Sequence, residues 1–259
     1  MMGSWKEYQK LKERKYREER GLFLIEGARI CQEALAADAE VVAAFYSEDF
    51  ARSDTANQLG QGIAKRGISI QVIGNNSFKK LCNTQNPQGI ALVLKKFSHT
   101  PQAVLPEDLW LYLDRISDPG NLGTLIRSAA WFGFGGVALS PDSVDLYNPK
   151  VLRATMGGLF RLKFLTNQPP EPFFEKIRQL GGNIVGTVVQ GGQRPFSALP
   201  ARPVALVLGS EAEGLAPTIR KRTDYCVTIP GANTGESLNI AIAGSILMYE
   251  LFKDTGGKS

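Results

Sequence analysis

Histidine is nearly missing from this chain: His99 is the one histidine in 259 residues. That excludes a histidine-built zinc centre and an ordinary two-histidine mechanism. Cysteine is scarce as well. Cys31, Cys82 and Cys226 stand far apart, are odd in number and form no C-x-x-C pair. No disulfide framework and no bound metal are expected, and a reducing, cytoplasmic setting fits. No run of about eighteen apolar residues occurs, so no membrane-spanning helix is expected. The opening Met1-Met2-Gly3-Ser4-Trp5-Lys6-Glu7 lacks an apolar stretch, so no secretory signal is expected either. Hydrophobic residues make up 43% and charged residues 21%, which excludes a disordered chain. The length suits one large or two modest domains with real cores. The net charge of +5 leans mildly toward a polyanionic partner.

The first twenty residues are dense in charge, with Lys6, Lys10, Lys12, Arg14, Lys15, Arg17 and Arg20 set among Glu7, Glu13, Glu18 and Glu19. They read as a solvated amphipathic helix or as a basic arm that touches phosphates. Strands are predicted at 22–25, 41–46, 68–73 and 89–94, with helices over about 28–37 and 53–65 and Gly67 as a stop. Residues 98–108 are polar, hold two prolines and lack periodicity, and read as a linker. Residues 1–97 are then a small α/β domain. A second domain, 109–259, opens on the buried strand 109–113. It continues with helix 122–132, strands 136–139, 183–188 and 203–208, helix 216–222, strand 225–229 and helix 237–252. Strands alternating with helices predict a parallel sheet covered on both faces.

The usual phosphate-cradling and hydrolytic motifs are missing. No G-x-G-x-x-G occurs; Gly133-Phe134-Gly135-Gly136 has the wrong spacing and precedes a strand. Gly256-Gly257-Lys258-Ser259 mimics the end of a P-loop without its first glycine or a following helix. Neither H-E-x-x-H nor G-x-S-x-G is present.

Three segments share one design: an apolar strand, a loop of glycine and polar side chains, then a helix. The first runs from Asp114 through Asp118-Pro119-Gly120-Asn121 to Arg127, with Asn121 placed as a helix N-cap. The second delivers Gly209-Ser210-Glu211 from the strand ending at Leu208; Gly209 would let a ligand approach the backbone. The third passes from Ile229-Pro230 through Asn233-Thr234-Gly235-Glu236 to Ser237-Leu238-Asn239, with Ser237 opening a helix rich in small residues. Taken singly, each polar residue reads as readily as a cap or a solvated side chain. In a parallel sheet such loops gather on one edge, so Asn121, Arg127, Glu211, Ser237 and Asn239 are predicted to converge beside one pocket.

In order and spacing these segments resemble the three signature motifs of the SpoU/TrmH family of RNA 2′-O-ribose methyltransferases, in the SPOUT superfamily. The match is carried by Asn121-x-Gly123-x-x-x-Arg127, Gly209-Ser210-Glu211-x-x-Gly214-Leu215, and Ile229-Pro230 with Ser237-Leu238-Asn239. Gly231 stands where many members carry methionine. Phe23-Leu24-Ile25-Glu26-Gly27 and Pro87-Gln88-Gly89-Ile90-Ala91 resemble the L30e-like substrate-binding domain of many members. The resemblance implies a C-terminal α/β domain with a deep trefoil knot, homodimerisation through it, and S-adenosyl-L-methionine held by Gly209, Ile229 and Leu238. It implies catalytic roles for Asn121, Arg127, Glu211, Ser237 and Asn239, and RNA contacts from Lys10, Lys12, Arg14, Lys15 and Arg17. The implied substrate is 23S-type ribosomal RNA. The alternatives are a tRNA ribose, or a knotted RNA-binding protein without catalysis. A nucleotide-binding oxidoreductase is disfavoured by the missing fingerprint.

Overall fold

The computed structural model describes residues 4–196, 200–232 and 237–253. Asn233–Glu236 of the third segment and the Gly256–Ser259 tail lie outside them. Helix α1 (Trp5–Tyr8), a 3-10 turn (Gln9–Lys12) and α2 (Arg14–Arg20) lead into β1 (Leu22–Glu26), α3 (Ala28–Ala36), β2 (Val41–Ser47), α4 (Asp54–Ala64), β3 (Ile70–Ile73), α5 (Asn75–Leu81) and β4 (Ile90–Lys95). There follow β5 (Leu109–Leu113), α6 (Pro119–Trp131), β6 (Gly136–Leu139), α7 (Pro149–Ala154), β7 (Lys163–Leu165), α8 (Pro170–Gln179), β8 (Asn183–Thr187), β9 (Val204–Leu208), α9 (Pro217–Arg220), β10 (Tyr225–Val227) and α10 (Ile240–Lys253). The chain forms two compact units. One holds the residues through Lys96 together with Tyr147–Phe160; the other holds Phe97–Leu146 and the chain from Arg161 onward.

The first unit is built on a four-stranded sheet in the order β1-β4-β2-β3. Strand β4 runs antiparallel to β1 and β2, and β2 is parallel to β3. Tyr8, Leu11, Phe45, Phe78 and Leu81 fill one face of its core. The charged N-terminal stretch is not one helix but two short helices joined by the 3-10 turn. The break has a visible tie. Arg17 is 4% exposed, and its Nη1 donates to the carbonyls of Leu11 and Lys12, both at 2.8 Å. Arg17 therefore holds the turn and is withdrawn from the expected phosphate-facing set. Lys10, Arg14 and Lys15 are exposed, and Lys12 is half-buried. Cys31 and Cys82 are buried, with their thiols pushed up by desolvation.

Within this unit Tyr147–Phe160, which the sequence places in the second domain, packs against β1. The Phe23 and Tyr147 rings lie 4.6 Å apart. Arg153 meets Glu26 at 3.3 Å, and Glu26 Oε2 also accepts from Asn83 N–H and Thr84 Oγ1–H at 3.2 Å.

The second unit has a six-stranded sheet, parallel throughout, in the order β10-β8-β9-β5-β6-β7. Strands β5 and β9 are buried along their full length, which is why both read as unbroken apolar runs rather than alternating ones. Trp110 and Tyr112 pack on Phe173 and Phe174 of α8. Their polar ends are satisfied: Trp110 Nε1 donates to Asp108 Oδ2 at 3.1 Å and Tyr112 Oη to the Gln168 carbonyl at 3.0 Å. Helices α6 and α10 pack side by side, with Ser128 Oγ and Ser245 Oγ 2.8 Å apart. A Cβ at Gly244 would lie 2.4 Å from Leu125 and 2.8 Å from Leu208, so the small residue sets this close approach.

Residues 98–108 have more structure than a free linker. Val104 is buried, Lys163 Nζ donates to the Ala103 carbonyl at 2.8 Å, and Phe97 stacks on Phe164. Helices α5, α7 and α8 and strand β7 were not expected from the sequence. Pro170 sits at the first helical position of α8, where its missing N–H costs nothing.

Two glycines test the packing with opposite signs. A Cβ at Gly136 would fall 2.4 Å from the Trp110 ring and 2.7 Å from the Lys163 carbonyl, whereas one at Gly62, inside α4, would meet only Leu35 at 3.8 Å. Gly136→Ala should lower stability by about 2 kcal/mol or more, and Gly62→Ala should raise it by about 0.5–1 kcal/mol. Urea melts of the full chain measure both.

Candidate active site

The sheet order reverses at β5: β6 and β7 lie to one side, and β9, β8 and β10 to the other. In an open parallel sheet the crevice at such a reversal, beyond the strand C-termini, is where ligands bind. The loops after β5 and β9 open there, and the segment after β10 returns to it through α10.

Helix α6 starts three residues earlier than Asn121 capping would require. Pro119 occupies its first turn, and Asp118 is the N-cap, its Oδ1 accepting from Asn121 N–H at 2.7 Å. Asn121 is thus not the cap, and its amide is free for other work. Asn121 Nδ2 donates to Glu211 Oε1 at 3.1 Å, and Asn121 Oδ1 accepts from Asn239 Nδ2 at 3.0 Å. Ser117 Oγ lies 3.5 Å from Glu211 Oε2. One amide therefore joins all three segments, and it places the Glu211 carboxylate by the N-terminal turn of α6, where negative charge is favoured.

Helix α10 begins at Ile240, not at Ser237. Asn239 is the residue that caps it: its Oδ1 accepts from Ala241 N–H at 2.9 Å and Ile242 N–H at 3.3 Å. Asn239 thus spends both ends of its amide, the oxygen on α10 and the nitrogen on Asn121. Ser237 lies in the exposed stretch ahead of it.

Arg127 is not drawn into this cluster. It sits six residues beyond Asn121, about 9 Å along the helix axis. It is exposed and makes no hydrogen bond or ion pair among the described residues. Glu211, a natural partner for it on sequence grounds, is committed to Asn121 instead. An exposed guanidinium on the helix that carries Asn121 is available to a phosphate or to another chain.

Of the residues implied for the cofactor, Gly209 and Ile229 follow β9 and β10, the strands on either side of β8, and Leu238 precedes α10. Gly209 is buried directly after β9. A Cβ there would come within 2.1 Å of Gly214 and 2.2 Å of Leu215, so its missing side chain serves first to close the 209–215 turn on itself. Ile229 is half-buried after β10, and Leu238 is 50% exposed. Val189, after β8, is also exposed. Apolar side chains left wholly or partly exposed after β8, after β10 and ahead of α10 suit the flat face of a base, and the backbone of these turns can supply hydrogen bonds to its edge. Among the described residues no group of three or more His, Cys, Asp or Glu side chains could hold a metal.

Sequence reasoning missed Asp118, Ser117 and Arg115. The Asp-Pro pair was a legible cap signal. Arg115 was not legible, because its importance comes from a backbone conformation and from contacts about a hundred residues away.

Residues 108–249 match the SpoU rRNA Methylase family, and residues 4–92 match the MRM3-like substrate binding domain. The 23S rRNA (guanosine(2553)-2′-O)-methyltransferase RlmP of Bacillus subtilis is 31% identical over 248 residues, which is 95% of this chain and 94% of the relative. The SpoU methyltransferase AviRb of Streptomyces viridochromogenes, solved in complex with the cofactor AdoMet, superposes with a TM-score of 0.86 at 27% identity, covering 98% of each chain. The AdoMet-bound rRNA methyltransferase of Sinorhizobium meliloti gives 0.86 at 26% identity, over 96% of this chain and 94% of that one. Two domain matches in the expected order, together with an α/β fold shared over nearly the whole length, place the chain in the SpoU rRNA methylase family.

Proposed function

We propose that the chain methylates a ribose 2′-hydroxyl of RNA with S-adenosyl-L-methionine, and that its preferred substrate is 23S-type ribosomal RNA. The observation that carries this reading is the hydrogen-bond chain Glu211–Asn121–Asn239, which ties the three family motifs together at the switch point, with Arg127, exposed on the same helix, unpaired among the described residues. Names of similar proteins, among them a 23S rRNA (uridine(2479)-2′-O)-methyltransferase of Streptomyces viridochromogenes, support the choice of RNA. A substrate limited to RNA also fits the chemistry, since DNA has no 2′-hydroxyl.

S-adenosyl-L-methionine supplies a methyl group already activated on a sulfonium. The work left to the chain is alignment and handling of one proton. Gly209, Ile229 and Leu238 would hold the cofactor. Asn121 fixes the Glu211 carboxylate, which accepts hydrogen bonds and orients a sugar hydroxyl. Asn239 starts α10 and holds Asn121 in its rotamer, and Ser237 lies on the loop that meets the RNA. Arg127 does not act as a base, because a guanidinium stays protonated at any working pH. It grips the target phosphate and stabilises negative charge growing on the 2′-oxygen. In the other unit, Lys10, Lys12, Arg14 and Lys15 supply affinity for the RNA backbone.

The reading includes a homodimer formed through the methylase unit. On α10, Ile242, Ile246 and Tyr249 stand at helical spacing on the solvent side, 54%, 37% and 50% exposed, and Trp131 at the end of α6 is 82% exposed. Large apolar side chains grouped on two packed helices mark an interaction surface, and a symmetric copy would set its own residues beside Arg127.

Methyl transfer from labelled cofactor to size-separated total RNA from a strain lacking the gene, followed by nucleoside mass spectrometry, tests the activity. A 2′-O-methylnucleoside in large rRNA is expected; label confined to tRNA would overturn the substrate. Arg127→Ala should lower turnover by about 10²-fold or more while leaving the melting temperature unchanged. Arg14→Glu with Lys15→Glu should weaken RNA binding and flatten its salt dependence without altering cofactor affinity by calorimetry. Ile242→Asp puts a carboxylate in the first turn of α10, which the helix tolerates. Light scattering should show it as a folded monomer, and its methyl transfer should fall with dimerisation.

A further inference from the structure

We infer that Arg115 is a positioning residue for methyl transfer, bracing the turn that carries Glu211 and closes over Gly209. This rests on the function proposed above.

Arg115 lies two residues beyond the end of β5 and adopts φ +57°, a left-handed conformation that residues with a Cβ rarely keep without cause. Its backbone N–H donates to Ser140 Oγ at 2.8 Å, which anchors the unusual turn. The side chain spans to the loop after β9. Nη1 pairs with Glu213 Oε2 at 2.5 Å, Nη2 donates to the Gly214 carbonyl at 3.3 Å, and Nε lies 3.4 Å from Asp114 Oδ2. Asp114 is 3% exposed, and its Oδ2 also accepts from Ala216 N–H at 3.2 Å. The guanidinium therefore serves three acceptors at once, and its planar fork suits this in a way an ammonium does not. The hydrogen bond to Glu213 holds Arg115 still more firmly in its charged form.

What is braced is a closed turn. Ser210 and Gly214 exchange both backbone hydrogen bonds, at 3.0 and 2.9 Å, and Glu213 N–H donates to Ser210 Oγ at 3.0 Å. Glu211 sits inside that turn. Its far end, Gly214–Leu215, presses on the backbone of Gly209. Asn121 holds the turn through Glu211; Arg115 and Asp114 hold it through Glu213, Gly214 and Ala216. Release of the second hold would let Gly214 move away from Gly209 and let Glu211 lose its register with Asn121. Arg115 itself touches none of the residues assigned to the cofactor or the RNA, so its effect passes through the turn.

The test uses the full chain with Arg115→Gly, Arg115→Lys, Glu213→Gln and the Arg115→Gly/Glu213→Gln double variant. Glycine accepts φ +57° without strain, so Arg115→Gly removes the brace while the fold is kept. Four readouts are taken: hydrogen exchange of residues 209–216 in the free protein, S-adenosyl-L-methionine affinity by calorimetry, kcat and KM for RNA, and the melting temperature. Arg115→Gly is expected to speed exchange in 209–216, weaken cofactor binding by about tenfold and lower kcat, with KM for RNA unchanged. Arg115→Lys should fall between it and the wild type. The double variant should match Arg115→Gly, because both changes remove one shared interaction. Wild-type exchange in 209–216, or wild-type cofactor affinity and kcat, in Arg115→Gly would overturn the inference whatever the melting temperature does. A raised KM for RNA with unchanged cofactor affinity would overturn it in favour of direct RNA contact. A wild-type chain that binds no S-adenosyl-L-methionine would instead sink the functional reading on which it rests.

Discussion

A sheet in which every strand is parallel and the central strands are buried on both faces sends all of its strand C-termini to one edge. Everything functional in the second unit follows from that constraint. The loops after β5 and β9 start side by side because β5 and β9 pair in register from Leu109 with Val204 to Leu113 with Leu208. Residues about ninety positions apart, Asn121 and Glu211, are thereby brought to the same edge and meet in a hydrogen bond. The strand order reverses at β5, and α10 packs beside α6 to add Asn239.

The polar cluster is economical in residue types because the helix ends do part of the work. Asp118 and Pro119 start α6, which releases Asn121 from capping. Asn239 caps α10 with its oxygen and reaches Asn121 with its nitrogen. A side-chain amide carries a donor and an acceptor at fixed separation, so asparagine can bridge a carboxylate on one side and another amide on the other. An ionised aspartate at position 121 would lack the donor for Glu211. Arg127 stays outside this network. That is consistent with a cation kept for a ligand rather than spent on internal pairing, as Arg17 and Arg115 are.

Much of this was legible in the residues. Continuous apolar runs marked β5 and β9, since strands buried on both faces cannot alternate. The three motifs, each placed after a strand, named Asn121, Glu211 and Asn239, and the structure brings those three together. Other features were hidden for identifiable reasons. Helix α8 begins under prolines that read equally well as a break. Strand β7 is three residues long and exists only through its pairing with β6. Arg17 looked like one more surface cation; only the turn around Leu11 and Lys12 shows that its guanidinium is buried.

The sequence by itself determined the α/β class, the parallel sheet and the position of each motif after a strand. These depend on local periodicity and on residue type, which are properties of short windows. Only the tertiary structure decided which motif residues touch, that Asn121 is a bridge and not a cap, that Arg127 is unpaired among the described residues, that Tyr147–Phe160 packs with the first unit, and that Arg115 adopts a left-handed backbone to clamp Glu213. Each of these is a contact between distant parts of the chain or a choice between two local conformations of similar energy. Packing settles such choices, because the free-energy differences involved are smaller than the burial and pairing that the assembled fold provides.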